Sequence, residues 1–72
     1  MERGTMTNEE KFNFIINVIK SEIPYYTEGN RQYKKSEEIW LHRYLTKLDF
    51  EGIVKANLDL AYDAALNIYN KN

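Results

Sequence analysis

His42 is the only histidine in the chain, and Glu38 stands one helical turn before it. A carboxylate and an imidazole at that spacing form a candidate acid–base unit. Nothing nearby supplies a nucleophile, and an i,i+4 Glu–His pair on the polar flank of a helix is ordinarily a solvated pair. Asp59 and Asp63 are also four residues apart. Two carboxylates can begin a Mg²⁺ or Ca²⁺ site, but such a site needs several more oxygen ligands. Lys55, a turn earlier, would partly neutralise Asp59, so the pair reads as a solvated face. Ser21 and Ser36 have no triad-like company and read as helix-end residues, and the three glycines form no phosphate-binding loop. With no cysteine there is neither a disulfide nor a thiolate metal site. This inventory predicts no catalytic residue, metal or cofactor, and a protein that is not an enzyme.

Residues able to make contacts are better represented. Between residues 29 and 48, Arg31, Lys34, Lys35, Arg43 and Lys47 outweigh Glu37 and Glu38 by three charges, while each flanking segment is net negative by two. Tyr33, Trp40 and Tyr44 are interleaved with these bases, a composition that favours nucleic-acid contact. Two features weigh against it: Trp40 and Tyr44 fall on a stripe needed for a core, and the following helix would turn Asp59 and Asp63 toward a phosphate backbone. Tyr25, Tyr26 and Tyr33, with Arg31 beside them, are the stronger interaction signal, because tyrosine and arginine concentrate binding energy at interfaces. The same rings could instead cap the end of a small helical core.

These residues must be carried by helices. Thr7-Asn8-Glu9-Glu10 has the spacing of a capping box, and a first helix is expected to run from there to Ile23, since Pro24 disfavours helical geometry before it. Its core stripe is Phe12, Ile15, Ile16, Ile19 and Ile23. Phe14 and Val18 lie off that stripe, and are either core for a second neighbour or exposed. Residues 24–35 hold a turn signal at Gly29-Asn30. A two-residue turn there would pair Tyr26 with Tyr33, and a structured loop is the alternative. A second helix, capped near Ser36, carries Trp40, Leu41, Tyr44, Leu45 and Leu48 on one stripe, with Ile39, His42, Arg43 and Thr46 outside it.

From Asp49 to Asn72 the pattern reads as one long helix. Phe50, Ile53, Val54, Leu58, Leu60, Ala61, Ala64, Ala65 and Ile68 share an apolar arc of roughly 200°, too wide for a single neighbour. Tyr62 and Tyr69 flank it. Asn57 projects into that arc, either bonded locally or acting as a polar register device at a helix–helix or dimer interface. The helix is therefore expected to be central.

At 72 residues with a net charge of −1 the chain makes one small domain, with no general attraction to nucleic acid or acidic membranes. No apolar run is long enough to span a bilayer and no signal-peptide core is present, so a soluble, cytoplasmic protein with no membrane partner is expected. Residues with AT-rich codons make up nearly half the sequence, which points to a low-GC bacterium or one of its phages. Size and composition are like those of many small reading frames in phage genomes, a likeness with no motif behind it. Arg3-Gly4 can be encoded as a ribosome-binding sequence just before Met6. That makes Met6 the expected start, residues 1–6 an N-terminal extension expected to be disordered, and 7–72 the domain.

Together these readings predict a mainly α, three-helix domain with a long central C-terminal helix and a hairpin or structured loop at 24–35. The expected function is a non-enzymatic protein-interaction module, a stoichiometric regulator or inhibitor or a small homo-oligomeric adaptor. Its partner is another protein or a second copy in a homodimer, engaged through Phe14, Val18, Tyr25, Tyr26, Arg31 and Tyr33. Leu66 is a weaker candidate. The alternative is a nucleic-acid-binding regulator using Arg31, Lys34, Lys35, Arg43 and Lys47.

Overall fold

The chain's structure, a computed structural model, describes residues 6–71. The expected extension lies outside these residues, apart from Met6. The described residues form four helices and no strand: α1 Asn8–Glu28, α2 Lys35–Thr46, α3 Phe50–Ala56 and α4 Leu58–Lys71. The mainly α class is as expected; there are four helices rather than three, and of the two alternatives for 24–35 no hairpin forms, residues 24–28 being helical and a loop following them.

α1 opens on the capping box: the Thr7 N–H donates to Glu10 Oε1 at 2.9 Å and the Glu10 N–H to Thr7 Oγ1 at 3.1 Å. It then runs through Pro24 instead of stopping before it. Proline inside a helix removes one backbone donor and crowds the preceding turn, at a cost of about 3 kcal/mol. Tertiary contacts on both sides of Pro24 offset this: Ile23 and Tyr26 pack against the core, and Glu22 holds the loop that follows. The helix ends instead at Gly29, whose φ of 74° suits glycine and turns the chain out of the helix. Its N–H donates to the Tyr26 carbonyl at 3.3 Å, and the Asn30 N–H to the Tyr25 carbonyl at 3.1 Å. Tyr26 and Tyr33 do meet, edge to face at 5.9 Å between centroids, but from a helix and a loop.

Helix α2 begins earlier than Ser36, with Lys34 as its N-cap, and ends at Thr46. Trp40 and Leu41 are buried and Tyr44 half-buried, whereas Leu45 and Leu48 are exposed. Leu48 lies past the end of the helix, so the 100° phase that placed it on the stripe no longer applies.

The long C-terminal helix is broken at Asn57, where φ −130° and ψ 43° leave the helical region. The Asn57 Nδ2 donates to the Ile53 carbonyl at 3.0 Å while its N–H is shared between Ile53 and Val54. An amide side chain competing for backbone acceptors in this way bends helices. The break gives α4 its own direction, and α4 packs on α1, α2 and α3. Ile15, Ile19, Leu41, Val54, Ala65 and Ile68 form the sealed centre of the core. Three alanines on α4 (Ala61, Ala64 and Ala65) are all buried, and side chains that short let neighbouring helices approach closely.

Among the described residues two carboxylates are buried with this core, Glu22 and Glu37. Glu37 shares a face with Trp40, Leu41 and Tyr44. Its Oε1 accepts from the Lys34 N–H at 2.9 Å and from Lys71 Nζ at 2.8 Å. Lys71 also donates to the Gln32 carbonyl at 3.2 Å. The end of α4 is thus tied to the start of α2, and the two helices run side by side in opposite senses.

Candidate interaction surface

The contact residues expected from the sequence are largely engaged with one another. Arg31 Nη1 donates to Glu22 Oε2 at 2.8 Å and its guanidinium lies 3.8 Å from the centre of the Tyr25 ring. The Tyr33 hydroxyl donates to Glu22 Oε1 at 2.7 Å. Burial first, then this hydrogen bond and the Glu22 charge, hold the Tyr33 phenol well above its usual value of 10.0. Tyr26 packs on Tyr33. The aromatic–arginine cluster is therefore a clasp that folds the 29–34 loop back onto α1, with Tyr25 its most exposed ring.

Phe14 and Val18 are covered by α4. Val18 is buried, and Phe14 is half-buried with its ring 5.5 Å from both Tyr62 and Tyr69. Val18 is thus core for a second neighbour, whereas Phe14 is only partly covered and lines, with Val18 and the exposed Tyr69, a shallow pocket between α1 and α4. Leu66 is half-buried.

The bases do not converge. Arg31 is paired to Glu22. Lys34 and Lys35 stand at the start of α2, and Arg43 and Lys47 at its other end. Arg43 lies 5.0 Å from the centre of the Trp40 ring. Glu38 and His42 are exposed and form no hydrogen bond or ion pair with each other. Asp59 pairs with Lys11 at 3.6 Å rather than with Lys55, whose ammonium lies over Phe12. Among the described residues no group of three His, Cys, Asp or Glu side chains is placed to hold a metal ion.

Uncovered apolar surface lies on the other side of α4. Ser36, Ile39, Trp40 and Arg43 along α2 and Leu60, Asp63, Ala64 and Asn67 along α4 line a shallow groove, with Asn57 at one end. Each set has i, i+3, i+4, i+7 spacing, so each is one continuous helix face. Buried Trp40 and Ala64 form the floor, while Ile39 is 47% and Leu60 66% exposed. Leu60 was expected in the core. A core arc of roughly 200° assumes one unbroken helix, and the bend at Asn57 turns this residue outward. Ile39 carried a usable signal, as the one aliphatic residue among those off the α2 stripe. The comparisons with known proteins find no matching family model, curated protein or solved structure for this chain. Among the described residues no helix is long and apolar enough to cross a membrane.

Proposed function

We propose that the chain is a non-enzymatic protein-interaction module, acting as a stoichiometric regulator or inhibitor or as a small adaptor, through the α2/α4 groove. The observation that carries this reading is Leu60, 66% exposed on the bank of a groove floored by Trp40 and Ala64. A lone exposed leucine is ordinary. Here Ile39 stands on the opposite bank and an arginine lies against the intervening indole. A groove between two helices, with Ile39 and Leu60 exposed on its banks and polar residues among them, suits an amphipathic helix, and Arg is among the residue types that anchor interfaces. Phe14, Val18 and the central tyrosines, favoured by sequence alone, are less suited because their contacts are made within the chain. The nucleic-acid alternative loses support from the pairing of Arg31 with Glu22 and the spread of the remaining bases.

The test is capture by the immobilised full chain from an extract of the cells that make it, comparing wild type with Leu60→Asp. Salt-tolerant one-to-one capture of a protein, lost in Leu60→Asp while helical circular dichroism is unchanged, is the expected result. Capture that collapses between about 50 and 200 mM salt and after nuclease treatment would establish nucleic-acid binding instead.

A further inference from the structure

We infer that the α2/α4 groove is filled by the same groove of a second copy of this chain. This inference rests on the interaction reading above and specifies its partner. Charge and symmetry carry it. Among the described residues, Arg43 on α2 and Asp63 on α4 line the groove and neither takes part in an ion pair. They sit on opposite banks and carry opposite sign.

Both helices border the groove along one continuous face, and the end of α4 meets the start of α2 where Lys71 pairs with Glu37, which sets the banks antiparallel. Arg43 is six residues along α2 from Glu37, about 9 Å at 1.5 Å per residue. The same distance back along α4 from Lys71 ends within one turn of Asp63, so the two charges are nearly level. Rotating a second copy by 180° about an axis along the groove lays its α2 over the first copy's α4 and preserves height along that axis. Arg43 of each copy then faces Asp63 of the other, and the ion pair forms twice. Such an isologous contact needs a patch complementary to itself. This groove supplies both halves: bulky Ile39 and Leu60 rise on the banks, and short Ala64 on the floor leaves room for a facing side chain. The wrong orientation, with α2 over α2, would bring Arg43 against Arg43 and is disfavoured by like charge.

Sedimentation velocity of the full chain reads this out. The wild type should sediment as a dimer. Arg43→Asp and Asp63→Arg should each weaken dimerisation at least about tenfold by opposing like charges. The combined charge swap should restore the dimer, with circular dichroism confirming that all variants remain helical. If a reversal unfolds the chain, Leu60→Asp, whose side chain already faces solvent, replaces it and should also abolish the dimer. A wild type that stays monomeric to about 1 mM overturns the inference. So does a dimer indifferent to both reversals or to Leu60→Asp. If a monomeric wild type still captures a different protein through Leu60, self-pairing is wrong and the interaction reading survives. If it captures nothing, both fall.

Discussion

Replacing Lys71 by alanine would leave the Glu37 carboxylate, 0% exposed, with only the Lys34 N–H as a partner, because Oε2 has no hydrogen-bond partner among the described residues. Removing one member of a fully buried ion pair costs about 3–5 kcal/mol, whereas a surface pair is worth about 0–1 kcal/mol. This pair lies between those limits. The acid is sealed, but the Lys71 side chain is 42% exposed, so water screens one end. Holding the lysine in place also costs about 1.5–2 kcal/mol of rotamer freedom that alanine does not lose. The expected net loss is about 2 kcal/mol. That is a large share of the roughly 4–10 kcal/mol available to a domain of this size. Urea unfolding followed by the fluorescence of Trp40, the only tryptophan and a buried one, measures it directly. Glu37→Gln should cost less, about 1 kcal/mol, since the Lys71 ammonium can return to water. The double variant should be no worse than Lys71→Ala, giving a coupling of at least about 1 kcal/mol in a double-mutant cycle. A Lys71→Ala loss below about 0.5 kcal/mol, the size of an ordinary surface substitution, would refute the reasoning and with it the tie between α4 and α2.

Tyr33→Phe should cost about 1 kcal/mol near neutral pH by removing the hydroxyl bonded to Glu22. Because the folded chain holds the Tyr33 proton above the unfolded value of 10.0, its contribution is fully present below about pH 10 and lost as pH rises further. Urea midpoints at about pH 8 and about pH 11 should therefore fall more steeply for the wild type than for Tyr33→Phe; parallel falls would contradict the clasp. Pro24→Ala should raise stability by about 2 kcal/mol, the relieved helix defect less the entropy the unfolded chain regains. A lower thermal midpoint would mean that α1 does not continue through residue 24.

Helical class, the Thr7–Glu10 cap, burial of Trp40 and Leu41, and the solvated face of Lys55, Asp59 and Asp63 are all legible from spacing. They depend on neighbours within a turn or on the average polarity of one helix face, and both are local quantities. Asn57 was legible as an anomaly, and its bond to the Ile53 carbonyl is a local one. That the helix breaks there was not readable, because an asparagine inside a helix bends it only when packing favours the bent form. The proposed interaction surface was the least legible feature. Tyr25, Arg31 and Tyr33 have the composition of an exposed anchor, but their exposure depends on Glu22, whose role is not marked by any periodicity.

The sequence by itself determined where apolar side chains recur and which residues begin the first helix, because propensity and capping act over three or four positions. Only the tertiary structure decided that α1 passes Pro24 to reach the turn at Gly29, and that Glu37 can be buried. The buried carboxylates carry a local penalty compensated by residues distant in sequence: Glu22 by Arg31 and Tyr33, Glu37 by Lys71. It also decided that Leu60 faces water while Val18 is buried and Phe14 half-covered by α4. A helix face becomes a core face only when another helix covers it, and coverage is set by the directions in which bent helices meet.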